Sequence, residues 1–254
     1  MFVSQITVQS VTRIATDIYE MTLLAPDIAK IILPGQFLNI KVSDSLTPLL
    51  RRPFSVSDCC NEELSILFHV CGEGTMVLSQ KRPGDKLDVI APLGNGFRVD
   101  GDFTSAILVA GGIGVAPFPF LTKELQRSGK KVMTLYGSST AAMICADKLV
   151  NTMIATDDGT SGFHGTVVAL LEQTLPDFPR ESTKVFVCGP HRMLAAAQEL
   201  LMIANYETEI SAEAAMACGF GICQGCPMPS SHQDDQFLLV CKDGPVFNAK
   251  DIRL

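Results

Sequence analysis

The chain has no basic cluster, no leader-like start and no apolar run fit to cross a membrane, and each absence removes a class of function. Its 254 residues carry 20 Lys and Arg against 27 Asp and Glu, a net charge of −7. Without a basic patch there is nothing to neutralise a phosphate backbone, so no nucleic acid ligand is expected. Met1-Phe2-Val3-Ser4-Gln5-Ile6-Thr7 has neither a basic n-region nor a long apolar h-region and reads as the start of a strand. The uncharged run from Thr104 to Thr122 is interrupted by Gly111, Gly112, Gly114, Pro117 and Pro119, so it is not a membrane helix and no membrane partner is expected. No Ser–His–Asp arrangement or paired carboxylates stand out, so no catalytic nucleophile, acid or base is assigned. Charged residues are scarce at 19% while hydrophobic ones reach 47%. That balance fills a core and leaves apolar surface for a partner subunit to cover.

Cysteine, by contrast, is abundant: nine residues, in a chain read as intracellular and cytoplasmic, where thiols are reduced or metal-bound. Cys218, Cys223, Cys226 and Cys241 are spaced by four, two and fourteen residues. Three thiolates packed so tightly, with a fourth returning from a distant strand, match the plant-type pattern for a 2Fe–2S cluster. Gly219, Gly221 and Gly225 interleave with them, allowing the backbone to wrap closely and aim amides at sulfur. A structural zinc site, which usually pairs two CxxC units, and disulfides stay open as alternatives. Cys59, Cys60 and Cys145 read as structural, and His164, His191 and His232 lack a second ligand at metal spacing.

Residues 1–100 read as short strands separated by turns such as Leu33-Pro34-Gly35 and Arg82-Pro83-Gly84-Asp85, which predicts a closed antiparallel β-barrel. Residues 101–207 change period. A wholly apolar run at Ala106–Ala110 and apolar runs at Lys131–Gly137, Met153–Thr156 and Val185–Cys188 alternate with helical segments, which predicts an α/β domain with a parallel sheet covered on both faces. Residues 208–254 form a small third module around the cysteines.

Within the first region, Arg51-Arg52-Pro53-Phe54-Ser55 follows a Pro-containing loop. A cationic fork suits pyrophosphate, and a hydroxyl three residues on can point along the same ligand, although an exposed basic turn before a strand has the same appearance. Gly72-Glu73-Gly74-Thr75 opens a short helix, a place where free amides can meet phosphate. In the second region, Gly111-Gly112-Ile113-Gly114 follows a buried strand, but Pro117 replaces the last glycine of a full dinucleotide fingerprint. Cys188-Gly189-Pro190 stands at another strand's carboxyl end, where such sheets bind ligands; a packed core cysteine is the plainer reading.

Taken in order, these motifs resemble the ferredoxin–NADP reductase superfamily, an FAD-binding barrel followed by an NAD(P)-binding α/β domain. With Cys-x4-Cys-x2-Cys and then Cys241-Lys242-Asp243-Gly244-Pro245-Val246-Phe247, the chain is similar along its whole length to electron-transfer subunits of class 1B dihydroorotate dehydrogenases. The resemblance implies that Arg52, Pro53, Phe54 and Ser55 line FAD, that His69, Val70 and Cys71 lie along its ring, and that Gly74 and Thr75 hold phosphate. It further implies that Gly111, Gly112 and Gly114 approach the nicotinamide nucleotide, with Cys188 and Gly189 near the hydride. Two departures stand out: Phe68-His69-Val70 replaces the frequent Tyr-Arg-Val, and Glu213-Ala214-Ala215-Met216 replaces Glu-Glu-Arg-Met.

The implied partner is an FMN-containing dihydroorotate dehydrogenase catalytic subunit, with two copies of each chain, that oxidises dihydroorotate to orotate in pyrimidine synthesis. NAD is then a substrate, FAD converts hydride into single electrons, and the cluster carries them onward. A reductase subunit of a transhydrogenase, sulfide dehydrogenase or hydrogenase complex, and a non-catalytic iron–sulfur sensor, are the other readings.

After the strand ending near Tyr136, Gly137-Ser138-Ser139-Thr140-Ala141-Ala142 contains no arginine, whereas a 2′-phosphate is commonly held by a cationic fork. NADH is therefore expected to outperform NADPH in kcat/KM for dye reduction. Equal efficiency would mean that a cation from elsewhere reaches the ribose.

Overall fold

The computed structural model describes residues 1–43 and 45–254. Six antiparallel strands close the first unit: β1 (Phe2–Ala15), β2 (Ile18–Leu24), β3 (Phe37–Lys41), β4 (Arg52–Cys60), β5 (Glu63–His69) and β6 (Lys86–Leu93), in the order β1-β2-β5-β4-β3-β6 with β6 returning to β1. The period of two decides what lies inside. Leu38 and Ile40 of β3 join Met21, Leu23, Val56, Leu64, Ile66, Leu87 and Val89 in the barrel interior. Phe37, on the opposite face of β3, belongs to a different core. Helix α1 (Pro26–Ala29) adds Ile28 to the interior, and α2 (Glu73–Ser79) follows β5.

The second unit is a sheet with the order β10-β9-β8-β7-β11-β12-β15. Its strands are β7 (Ser105–Gly111), β8 (Lys131–Ser138), β9 (Thr152–Thr156), β10 (Phe163–His164), β11 (Thr183–Cys188), β12 (Glu207–Ser211) and, antiparallel at the edge, β15 (Val246–Asn248). The crossover helices are α3 (Phe118–Arg127), α4 (Val167–Thr174) and α5 (His191–Ile203). Continuous apolar strands are explained by cover on both sides. Ile107, Val109, Val185 and Val187 pack with residues of α4 and α5, while Ala106, Leu108, Ala110 and Phe186 pack with Phe118, Leu121 and Leu125 of α3. No helix among the described residues is long and apolar enough to cross a membrane.

The cysteine-bearing segment contributes a two-stranded ribbon, β13 (Pro227–Pro229) with β14 (Phe237–Leu239), before β15 enters the large sheet. The boundary expected between residues 207 and 208 falls inside β12, and β15 pairs with that strand through Glu209, Ile210 and Ser211. Pattern reading missed β15 because three residues carry too little periodicity. Cys226, Met228, Val240, Cys241 and Phe247 share one core with the α4/α5 face of the sheet and with Phe37, Ile90 and Leu93 of the barrel.

Ionic contacts tie barrel to sheet, one of them between Lys148 and Glu20 of β2. Lys123 of α3 donates to Asp58 Oδ1 (3.2 Å) and to the Cys59 carbonyl (2.7 Å) of β4. Deeper, Lys184 of β11 is 2% exposed at its side chain and meets Glu209 Oε1 of β12 at 2.9 Å. The other oxygen, Glu209 Oε2, accepts the Arg98 backbone N–H at 2.9 Å, and Lys184 Nζ donates to the Arg98 carbonyl at 3.1 Å. The buried pair thus grips the segment joining the two units. Glu209→Ala leaves Lys184 only the exposed Glu207 Oε1 at 3.2 Å, so it is expected to cost about 3 kcal/mol in urea unfolding, with Lys184→Met/Glu209→Leu costing clearly less.

Candidate functional site

A cleft of about 310 Å³ opens where all these elements meet. From the barrel it receives Phe37, Arg52, Pro53, Phe54, Ser55, Phe68, His69, Cys71 and Thr75; from the sheet, Ile113, Gly114, Pro117 and Cys188; from the C-terminal stretch, Ser211 to Ala214, Met216 and Pro245. Strand register builds its floor: Phe37 of β3 stands opposite Ser55 of β4, and Asn39 opposite Pro53.

The two arginines divide their work. Arg51 is committed to structure, its Nη2 on Asp88 Oδ2 at 2.8 Å and its Nη1 on the Asp88 carbonyl at 2.7 Å. Arg52 lines the cleft, oriented by its Nη1 on the Leu50 carbonyl at 2.6 Å. Gly74 lies beneath it, and a Cβ there would meet Arg52 Nε at 3.4 Å. Thr75 is engaged in its own turn, its hydroxyl accepting from the Cys71 and Gly72 amides at 3.0 and 3.2 Å. Val70 does not line the cleft; it packs against the barrel core, and its amide donates to the Asp17 carbonyl at 2.8 Å. Gly74 does not itself line the cleft; an apolar slot bordered by the Arg52 cation fits a flat ring system carrying a pyrophosphate.

At the sheet's carboxyl edge, the glycines serve close packing between two turns. A Cβ on Gly114 would stand 2.5 Å from Gly189 Cα and 2.6 Å from the Cys188 carbonyl, and one on Gly111 would strike Met193 Sδ at 2.4 Å. Gly112 alone has open space beside it, and it adopts φ +53°. Gly111, Gly112 and Gly189 therefore shape the turns, while Gly114 and Cys188 reach the cleft wall. Burial pushes the Cys188 thiol up to about 12, with the Glu213 carboxylate adding to this and a hydrogen bond with Ser211 partly offsetting it. It is a neutral thiol at physiological pH. Glu213 opens to solvent through the cleft, yet protein surrounds its carboxyl closely enough that desolvation raises its pKa. Phe37, Ser211, Glu213 and Pro245 were not anticipated as cleft residues; only the alternation along β3 carried a hint, for Phe37.

The four cysteines are brought together, and they form two pairs. Cys226 and Cys241 are each 2% exposed and interact through their side chains; Cys218 and Cys223 interact in the same way nearer the surface. Every sulfur receives an amide: Gly221 N–H to Cys241 Sγ (3.1 Å), Cys241 N–H to Cys226 Sγ (3.4 Å), Gly225 N–H to Cys223 Sγ (3.4 Å), and both Phe220 and Cys223 N–H to Cys218 Sγ (3.5 Å). Burial tends to raise the Cys218 thiol, but the Cys223, Phe220 and Ile222 amides outweigh it and hold the group down at about 6. Burial and the neighbouring Cys226 push Cys241 up to about 12. Positive φ at Gly219 (80°), Gly221 (90°) and Gln224 (58°) turns the loop's amides inward. Among the described residues no three ligand-type side chains converge on one point, as a single ion requires. Two thiol pairs ringed by amide donors fit a two-iron cluster better than zinc.

Residues 213–253 match the family model for the iron–sulfur cluster binding domain of dihydroorotate dehydrogenase B. Across almost the whole chain, the dihydroorotate dehydrogenase B (NAD(+)) electron transfer subunit of Bacillus velezensis is 37% identical, with 99% of each chain covered. That of Bacillus pumilus is 39% identical over 98% of this chain and 97% of its own. The chain belongs to this family of electron transfer subunits. Among solved structures, one described by its NADH-dependent reduced ferredoxin-NADP oxidoreductase activity in flavin-based electron bifurcation overlays with TM-score 0.85 and 25% identity, over 97% of this chain and 88% of its own. The ferredoxin NADP+ reductase of Neisseria gonorrhoeae, solved with FAD and NADP, shares the fold at TM-score 0.69 and 15% identity, over 79% of this chain and 91% of its own. The dihydroorotate dehydrogenase B cluster domain, as matched, starts at Glu213 on the cleft wall and takes in all four cysteines of the loop.

Proposed function

We propose that this electron transfer subunit holds FAD in the cleft, takes a hydride from NADH at the sheet's carboxyl edge, and passes electrons through a 2Fe–2S cluster to the FMN of a dihydroorotate dehydrogenase catalytic subunit. The reverse flow uses the same path. The observation that carries this reading is continuity: Met216 walls the cleft two residues before Cys218, and Pro245 walls it four residues after Cys241. Cleft and thiol cluster are thus adjacent parts of one stretch of chain. FAD exchanges a two-electron hydride for single electrons, which the cluster can accept.

Within this reading the protein's part is binding and orientation. Arg52 with the side-chain-free backbone at Gly74 takes the pyrophosphate, while Pro53, Phe54, Ser55, His69 and Cys71 border the ring, with Val70 behind them. The turns at Gly111–Gly114 and Cys188–Gly189 receive the nicotinamide, Cys188 as an uncharged contact. Three modules, 1–100, 101–207 and 208–254, share the work in the cytoplasm, in an assembly of two copies of each subunit. The catalytic subunit docks over the outer thiol pair, where Phe220 is 37% and Ile222 74% exposed. Apolar groups at an electron exit suit a stable interface better than a transient one.

Cys223→Ser is expected to abolish the cluster's visible absorbance and electron delivery to the catalytic subunit, with FAD content and NADH-driven dye reduction retained. Normal turnover of the assembled complex in that variant would take the cluster out of the path. Phe220→Asp is expected to weaken binding of the catalytic subunit by about tenfold or more, the cost of a charge in an interface core, without changing dye reduction. Unchanged co-purification would place the docking surface elsewhere.

A further inference from the structure

Asn39 sits in the middle of β3 and is 0% exposed. Its neighbours Leu38 and Ile40 point into the barrel, which puts Asn39 on the outer face. Its Nδ2 donates to the Cys218 carbonyl at 2.9 Å, a contact spanning 179 positions of sequence. Its Oδ1 is buried without a hydrogen-bond partner. Across the ladder stands Pro53, a wall of the cleft. Gly219, at φ +80°, presses so close that a Cβ would meet Asn39 Nδ2 at 2.4 Å. One buried amide therefore stands between the cleft floor and the cluster loop. An apolar side chain would fill the same space without the cost of an unpartnered oxygen.

We propose that Asn39 is a positioning residue for electron transfer between flavin and cluster, fixing the Cys218 carbonyl and with it the peptides that follow. Those peptides carry the Phe220 and Cys223 amides that donate to Cys218 Sγ. Amide donors to a cluster's sulfurs stabilise the added negative charge of its reduced form and so raise its reduction potential. Without the Asn39 bond, the Cys218–Gly219 peptide is free to rotate, the two amides lose their aim, and the cluster becomes harder to reduce. The inference rests on the flavin-to-cluster path proposed above.

The test compares the full-length subunit, loaded with FAD and cluster, with its Asn39→Leu and Asn39→Ser variants. Four quantities are measured: FAD and iron content, the cluster midpoint potential, the EPR spectrum of the reduced cluster, and the stopped-flow rate of cluster bleaching after mixing with NADH. In both variants FAD content and flavin reduction are expected within about twofold of the parent, the midpoint potential more negative, the g-values displaced, and cluster reduction slower by about tenfold, the equivalent of a drop of about 59 mV in a one-electron couple. Potential, g-values and rate all matching the parent would overturn the proposal. So would iron loss in both variants with a normal potential in the remaining cluster, since that is a purely structural role. If NADH fails to bleach the parent's cluster, the electron path itself is wrong, while potential and g-values still decide the role of Asn39.

Discussion

The course of the chain between Cys241 and Asn248 constrains both candidate sites at once. After the fourth thiol it must pass the end of the barrel and reach the edge of β12 within seven residues. It does so through backbone contact: the Asn95 amide donates to the Gly244 carbonyl at 2.6 Å, and the Ala212 amide to the Pro245 carbonyl at 2.9 Å. The approach is so close that a Cβ on Gly94 would stand 2.5 Å from Pro245 Cδ, and one on Gly244 would overlap the Phe247 ring at 2.3 Å. Gly94 and Gly244 are fixed by this crossing, and through it the inner thiol pair, the cleft wall and the sheet edge hold one another in register. A side chain at either position would separate elements that belong to three different parts of the sequence.

The buried Lys184–Glu209 pair reinforces the same junction from the middle of β12. A charge pair in a core is seldom a net gain in stability. Here it satisfies both the N–H and the carbonyl of Arg98, groups that an apolar replacement would leave without partners at the point where barrel gives way to sheet. β12 is thus anchored at Glu209, and it delivers Ser211 to Ala214 and Met216 to the cleft and Cys218 to the cluster loop from a fixed start.

What the sequence disclosed was whatever is local. Alternation along β3 and β5, unbroken apolar runs at β7 and β11, and the cysteine spacing each follow from neighbours a few positions apart, and barrel, parallel sheet and thiol cluster all appear in the structure. What it hid was made by packing across long separations. Pro245 and Glu213 have no local signature, and β15 is too short to announce itself beside β12. Asn39 was passed over because one polar residue in a strand looks solvated until the cluster loop covers it. The glycines at 111, 114 and 189 carry a constraint that their spacing does not announce: a Cβ on any of them would strike the neighbouring turn or Met193.

Cys188 lines the cleft, yet it is 3% exposed and its thiol is pushed up to about 12. Alkylating agents and peroxides react with the thiolate, and so few thiolates exist there at neutral pH that Cys188 resists both. Cys218, held near 6, is the opposite case. An oxidant meeting the free thiols should therefore strike Cys218 well before Cys188.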